Sequence, residues 1–516
     1  TMQVPSEENL LTVMQPAQAD RSTVSFMRSS LSTFYESLDE YVQATLKRLE
    51  EKDPSLCKLL IDDFHYPEVD LDGDQFFDSI TIAKLFMKTI DSPHVTELEI
   101  RFVELDNIVA AALRELLTSP SREWNRISIV GCTGCRGEFL TPLTLAMKQC
   151  KHLTLNHNNI EAEGFENIGA ALQSNHSLRS FHMKRDTLYG KNASALFEGL
   201  QSNTLLEDMV LNFCRFDEKG IDALSKSLRS NSSIRNLDLG ACYLPDRFVS
   251  RVIHSLVDHP ALTSLVLTLN SCHEEGTLAL ASLLSSPNCR LQHLNMSHQK
   301  AGSNKPCMET LASALKTNKS LLSLKLSRNS LHGSDLSSLI QTLQENSTLE
   351  DLDLTNNSLD DESLIAFARA LPSMSGLKSL HVLNNEIMDE HLVGREMLKG
   401  ISRNHTLVDI EIKRSLPQYE NIQYYVALNW GGRGALSAAY DNDETLPPIP
   451  MGLWPVVLKR AQQCNRRVPN TLSNNGNKKH SRKKEDMPNQ EQNEMQSFQH
   501  DIIYHLLHGP ALLSSR

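Results

Sequence analysis

The sequence predicts an α/β solenoid, with a parallel β-sheet on the concave face, α-helices on the convex face, and about twelve repeats behind a helical N-terminal flank. Three observations predict it. A phrase L-x-x-L-x-L-x-x-N-x-L recurs, plainest at Leu321, Leu324, Leu326, Asn329 and Leu331 and again at Leu349, Leu352, Leu354, Asn357 and Leu359. Its central apolar residue falls at Leu98, Ile127, Leu153, Phe181, Met209, Leu237, Leu265, Leu294, Leu324, Leu352, Leu380 and Ile410, in steps of 29, 26, 28, 28, 28, 28, 29, 30, 28, 28 and 30 residues. After each phrase the apolar spacing changes from strand-like to helical.

Within one repeat the alternation Leu352-Asp353-Leu354 suits a short strand with leucines inward and carboxylates outward. Asn357 then stands where the chain turns, and a buried amide there can satisfy backbone groups that neither strand nor helix pairs. Leu364, Phe367, Ala368 and Leu371 follow at helical spacing and form a second apolar face. One repeat cannot bury both faces, so stacking makes the core.

The turn position holds Asn158, Asn270, Asn329, Asn357 and Asn385, with Cys132, Cys214 and Cys242 in three other repeats. Asn and Cys sharing this site at this period resembles the ribonuclease-inhibitor-like class of leucine-rich repeats. The resemblance covers residues 95–415 and implies a strand on the inner side and a full helix on the outer side of every repeat. Val103 and Ser415 take the turn position in the first and last repeats, as caps do. Asp186 and Gln299 depart from it internally, which predicts a locally irregular ladder at both.

The 516 residues are 40% hydrophobic and carry a net charge of −12. That supports one elongated core and disfavours nucleic-acid binding, because phosphate is repelled over most of such a surface. The chain has no apolar run long enough to span a bilayer, so no membrane association is expected. It opens with Thr1 rather than Met, so an upstream segment stays open. Its ten cysteines are dispersed among the repeats, which favours reduced thiols and a cytoplasmic location, with the nucleus as second reading. Cys132 and Cys135 with Cys150 and His152 make a poor zinc set, lacking a matched second pair, and no metal or cofactor is expected. The Asn-x-Ser/Thr triplets at Asn192, Asn231, Asn295, Asn346 and Asn404 are read as chance products of Asn- and Ser-rich loops.

Outside the repeats, residues 1–24 are polar and expected to be disordered, and 25–94 form a flank of helices over Phe26–Glu51, Leu56–Phe64 and Ile80–Ile90. Asp70, Asp72 and Asp74 lack the ligand series of a calcium loop and read as a solvated acidic turn. Residues 416–464 are expected to form a cap region, with one helix from Tyr419 to Leu428 and another beginning at Trp454-Pro455. Residues 465–500 read as a disordered linker, and 501–516 as a short helix through Tyr504, Leu506 and Leu507. This ending resembles the tails of uncharacterised leucine-rich-repeat proteins of single-celled algae. Its two helices are expected to dock over Leu407 and Ile410, with a detachable partner-binding peptide as the alternative. The basic run Lys478 to Lys484 reads as a solubilising linker, with nuclear import as the alternative.

Function is expected on the concave wall. The outward strand residues there are polar and mildly acidic, and the candidates are Asp208, Asp238, Asp351, Asp353, His381, Asp409 and Glu411. Aromatic anchors are nearly absent from it. The expected role is a non-catalytic interaction scaffold, of unknown oligomeric state and read as a monomer, for a polar or basic protein partner, since the chain carries no Walker loop, nucleophile elbow or H-E-x-x-H. Two alternatives rest on resemblance. One is a GTPase-activating protein similar to the Ran GTPase-activating proteins, whose acidic tail this chain lacks. The other is an inhibitor of a basic enzyme, as ribonuclease inhibitor is.

Overall fold

A computed structural model describes residues 41–62, 78–119, 123–134, 143–144, 147, 150–299 and 308–431. The chain divides into two compact units, residues 1–167 and 168–516. Each is an α/β leucine-rich-repeat solenoid, with a parallel sheet on one side and helices on the other. No described helix is long and apolar enough to cross a membrane.

In the first unit, strands β1 (Lys58–Asp62), β2 (Glu97–Arg101), β3 (Arg126–Val130) and β4 (His152–Asn156) pair in parallel in that order. Leu59, Leu98, Ile127 and Leu153 lie opposite one another and are buried. The segment Leu56–Phe64, expected as a helix, is therefore strand over Lys58–Asp62, with no helix among its described residues. A run this short fits either period, and Leu59 and Ile61 point inward at spacing two beside β2. β1 escaped the repeat count because Leu59 lies 39 residues before Leu98, far from the regular step. Within the described residues the flank holds two helices, over 41–50 and Ser79–Ile90. The helical residues 41–50 bury Val42 and Leu49, and Tyr41 donates to the Leu60 carbonyl at 3.1 Å. Helix Ser79–Ile90 is N-capped by Asp78, whose carboxylate accepts from the Thr81 N–H.

In the second unit, β5 (Ser180–His182), β7 (Asp208–Val210), β9 (Asn236–Asp238), β10 (Ser264–Val266), β11 (His293–Asn295), β12 (Ser323–Lys325), β13 (Asp351–Asp353), β14 (Ser379–His381) and β15 (Asp409–Glu411) follow the same pattern. Each central apolar residue faces its counterpart in the next strand and is buried. Between successive strands the chain forms helices such as Gly190–Ser202, Glu218–Ser230 and Glu390–Arg403. A helix is about 10 Å wide while strands stack about 4.8 Å apart, so a unit of this kind curves with its sheet inside.

The predicted turn ladder is present, and its chemistry is visible atom by atom. Asn357 Oδ1 accepts from the N–H groups of Asn329 (2.9 Å) and Leu331 (3.1 Å), while its Nδ2 donates to the carbonyls of Leu326 (3.1 Å) and Leu354 (3.0 Å). Asn158 likewise joins the Cys132 N–H to the Ile129 carbonyl, Asn270 joins Leu244 N–H to Leu239, and Asn385 joins Leu359 N–H to Leu354. Asn329 Oδ1 accepts from Gln299 N–H. Each rung thus stitches one repeat to the one before it. At a cysteine rung the thiol is the donor: Cys242 Sγ reaches the Leu211 carbonyl at 3.0 Å. The Cys214 N–H bonds within its own turn, to the Leu211 carbonyl at 3.2 Å. Burial pushes the Cys214 and Cys150 thiols up to about 12, which keeps them protonated.

Gln299 corrects one expectation. It is a full rung, with Oε1 accepting from Cys272 N–H at 3.0 Å and Nε2 donating to the Leu267 carbonyl at 2.9 Å. Its extra methylene spans what an asparagine spans elsewhere. At Asp186 the irregularity takes the form of an added two-stranded sheet, β6 (Thr187–Leu188) beside β8 (Arg215–Phe216).

A second ladder runs where the helices end, and the sequence reading missed it. Asn203, Asn231, Asn318, Asn346 and Asn404 are buried, and each accepts from the N–H groups two and three residues on. Their Nδ2 groups donate to the carbonyls of Leu172, Leu200, Leu284, Leu315 and Leu371 in the preceding helices. His259 fills one such position, its Nδ1 accepting from Ala261 and Leu262. The triplets at Asn231, Asn346 and Asn404 have a structural origin: the Ser or Thr two residues on carries one of the N–H groups that the asparagine accepts.

Helix Tyr419–Trp430 follows β15, packs on helix Glu390–Arg403 and buries Ile422, Val426 and Leu428. Asn429 Nδ2 donates to the carbonyls of Asn404 and Leu407. Leu407 and Ile410 are thus buried within the described residues. The expected tail helices at Trp454 and Tyr504, the linker 465–500, the basic run, the segment 1–24 and the acidic turn at Asp70 lie outside the described residues.

Candidate partner-binding face

Alternation in the short strands sends the residues on either side of each buried centre toward the helix-free face of the sheet. All seven candidates lie on that face of the second unit, at the ends of β7, β9, β13, β14 and β15. They form two groups. Asp208 and Asp238 belong to neighbouring repeats and are engaged locally: Asn236 donates to Asp208, while Asp238 accepts from Asn212 Nδ2 (2.9 Å) and Gly240 N–H (2.8 Å).

The second group is a cluster. His381 Nδ1 lies 3.1 Å from Glu411 Oε2, and its Nε2 lies 3.3 Å from Asp409 Oδ2 and 2.8 Å from Ser379 Oγ. Ser379 Oγ also donates to Asp409 at 3.1 Å. Asp351 accepts from Ser323 Oγ at 2.7 Å, and Asp353 from Thr355 N–H at 2.9 Å. Parallel register produces this grouping: Asp351, Ser379 and Asp409 stand side by side, as do Asp353, His381 and Glu411. Four carboxylates therefore surround one imidazole.

The hydrogen bond from Asp409 raises the His381 pKa most. Burial opposes it, and the charges of Asp409, Asp351 and Glu411 add, reaching about 9. Asp409 is held below its usual range, first by His381, with burial opposing and Ser379 assisting. His381 is thus an imidazolium at neutral pH. Ser379, His381 and Glu411 have the atoms of a Ser–His–carboxylate relay without its protonation state, since an imidazolium cannot take the hydroxyl proton.

The raised His381 pKa gives a signed pH dependence. Its folded value exceeds its ordinary 6.5, so its stabilisation is complete below pH 6.5 and lost as pH rises toward about 9. Asp409 acts oppositely: its contribution is present above its ordinary 3.8 and lost as pH falls below it. After discounting for the exposed carboxylate partners, the alkaline loss is expected to be about 1–2 kcal/mol. Urea unfolding at pH 6 and 9.5 checks it: His381→Gln should lose most of that difference, and an undiminished difference would assign it to other groups.

The first unit treats its strand charges differently. Glu99 is buried, with Lys58 Nζ at 2.5 Å and Arg101 beside it. Burial raises its pKa, but the two cations prevail and hold it below the ordinary value.

One side-chain set escaped the sequence reading. In eleven repeats the residue just before the turn ladder has a left-handed or positive φ: Phe102, Gly131, His157, Arg185, Phe213, Ala241, Leu269, His298, Arg328, Asn356 and Asn384. That backbone turns the side chain outward at the loop edge, where Phe213 is 44% exposed, and Tyr243 two residues beyond Ala241 is 58% exposed. Aromatic residues, nearly absent from the strands' outward positions, are present at this edge. The signal was available as Phe213 beside Cys214, but periodicity alone does not reveal the sign of φ.

No family model matches the chain. Human NACHT, LRR and PYD domains-containing protein 14 is 26% identical over 226 residues, covering 42% of this chain and 20% of that protein. Human NACHT, LRR and PYD domains-containing protein 5 is 26% identical over 231 residues, covering 44% and 16%. The chain thus spans at most 20% of the length of these two relatives. Among solved structures, the mouse RP105/MD-1 complex matches at 16% identity and TM-score 0.36 over 71% of this chain and 63% of that one. The C-terminal domain of Caenorhabditis elegans tropomodulin matches at 19% identity and TM-score 0.27 over 30% and 93%.

Proposed function

We propose that this leucine-rich-repeat protein is a non-catalytic interaction scaffold of the ribonuclease-inhibitor-like type. It binds a polar or basic protein segment on the helix-free face of its second unit. The observation that carries the reading is the cluster of Asp351, Asp353, Asp409 and Glu411, brought together by strand register and only partly neutralised by His381. Carboxylates held by neighbouring hydroxyls and the imidazole lose little freedom on binding, and their summed charge steers a cationic partner. The narrower readings are GTPase activation and inhibition of a basic enzyme. A cytoplasmic or nuclear setting fits the protonated, buried thiols.

The test is partner capture from native cell extract with the intact chain and with D351N/D353N/D409N/E411Q, at low and high salt. Loss of a partner on neutralisation, and its weakening as salt rises, is the expected result. A partner held equally by the correctly folded variant removes this face from the account.

A further inference from the structure

We propose that the loop edge of the second unit is a separate docking surface for an acidic peptide segment carrying an aromatic or aliphatic anchor. It comprises Lys184, Arg185, Phe213, Arg215, Tyr243 and Leu269. Successive loops stack in register there: Arg185 N–H donates to the Asn212 carbonyl (3.2 Å), Phe213 N–H to Gly240 (2.9 Å) and Ala241 N–H to Thr268 (2.7 Å). Arg185, Phe213, Ala241 and Leu269 therefore form one column, all at φ between 55° and 62°. Between Phe213 and Leu269 in this column stands the small, buried Ala241, while the Phe213 ring is exposed. Tyr243 stands two residues beyond Ala241 at φ 53°.

The charge around the exposed Phe213 ring selects the partner. The Arg185 guanidinium lies 5.5 Å from the Phe213 ring centroid, a cation–π contact that places a positive group at the rim. Arg215 is fixed by pairing with Thr187 and by its N–H bond to the Asp186 carbonyl. The nearby carboxylates are already committed. Asp217 accepts from the Gly190 and Gly220 N–H groups, Asp238 is held by Asn212 and Gly240, and Glu218 pairs with Arg251. Among the described residues, Lys184, Arg185 and Arg215 make no ion pair. Exposed Tyr, Phe and Arg side chains on a rigid backbone are the composition of interface hot spots. A peptide supplying carboxylates to three cations and one apolar anchor to the exposed Phe213 and Tyr243 rings fits this surface. A nucleic acid calls for a longer track of cations than these three, and the oligonucleotide comparison below tests it.

The full chain is titrated into fluorescein-labelled short peptides that vary acidity and a single Phe independently, with anisotropy as readout. The acidic, Phe-bearing peptide is expected to bind at least about tenfold more tightly than neutral or basic Phe peptides or the acidic peptide without Phe. F213A and the pair R185E/R215E should each weaken it about tenfold, whereas D351N/D353N/D409N/E411Q should not. These positions are solvent-exposed, and circular dichroism confirms the fold. Y243A gives an independent check. The proposal is overturned by equal affinity across the peptides, by binding that survives both F213A and R185E/R215E, or by a short single-stranded oligonucleotide binding more tightly than the acidic peptide.

Discussion

Asn357→Ala is expected to destabilise the second unit by about 3–5 kcal/mol, far more than its size suggests. The lost side chain leaves the N–H groups of Asn329 and Leu331 and the carbonyl of Leu326 without their amide partner, and the Leu354 carbonyl with the Asn385 amide alone, at a site only 6% exposed. Each orphaned buried group costs about 1–3 kcal/mol, partly recovered by local relaxation. The exposed helical Gln341→Ala serves as control and should stay within about 0.5 kcal/mol. Asn357→Asp separates the two halves of the amide: the acceptor survives, but a carboxylate now faces two carbonyls. That variant should be destabilised at neutral pH and partly rescued in acid, where the protonated carboxyl donates again. Urea unfolding followed by circular dichroism measures all three. A loss below about 1 kcal/mol for Asn357→Ala would mean that water replaces the rung.

Gly199→Ala is expected to destabilise by about 2–3 kcal/mol, with a sign opposite to helix propensity. Gly199 lies inside helix Gly190–Ser202, where alanine alone would favour the helix by about 1 kcal/mol. A Cβ there would sit 2.0 Å from the Gly169 carbonyl oxygen and 2.7 Å from its carbon. Both are backbone atoms of the adjacent helix, so no side-chain rotation relieves the overlap. Gly169 faces Ala195 in the same way, at 2.0 Å. Thermal unfolding of Gly199→Ala against a solvent-facing control in the same helix, such as Lys191→Ala, reads the effect. A stabilised Gly199→Ala would show that the helices separate at little cost.

The His381 cluster shows how function-relevant geometry emerges from a regular scaffold. Its residues come from three successive repeats, each about 28–30 residues from the next, yet nothing in any single repeat marks them as a group. Register places Asp351, Ser379 and Asp409 in one row and Asp353, His381 and Glu411 in the next. The repeat period made that row foreseeable. The imidazolium did not follow from it, because protonation depends on distances and burial.

The sequence by itself determined the repeat unit, the inward centres from Leu98 to Ile410, the outward candidates and most of the turn ladder. Those features depend on periodicity, and a solenoid repeats its contacts at the same period as its residues. Only the tertiary structure decided the rest. It showed that Leu56–Phe64 contributes strand β1, because a neighbouring edge at β2 was there to pair with. It turned Gln299 from a defect into a rung and the triplet asparagines Asn231, Asn346 and Asn404 into part of a second ladder, because hydrogen-bond partners in an adjacent repeat are invisible along one chain. It also brought Phe213, Tyr243 and Arg185 to the loop edge, because the sign of φ is set by the stacked turn and not by the residue that occupies it.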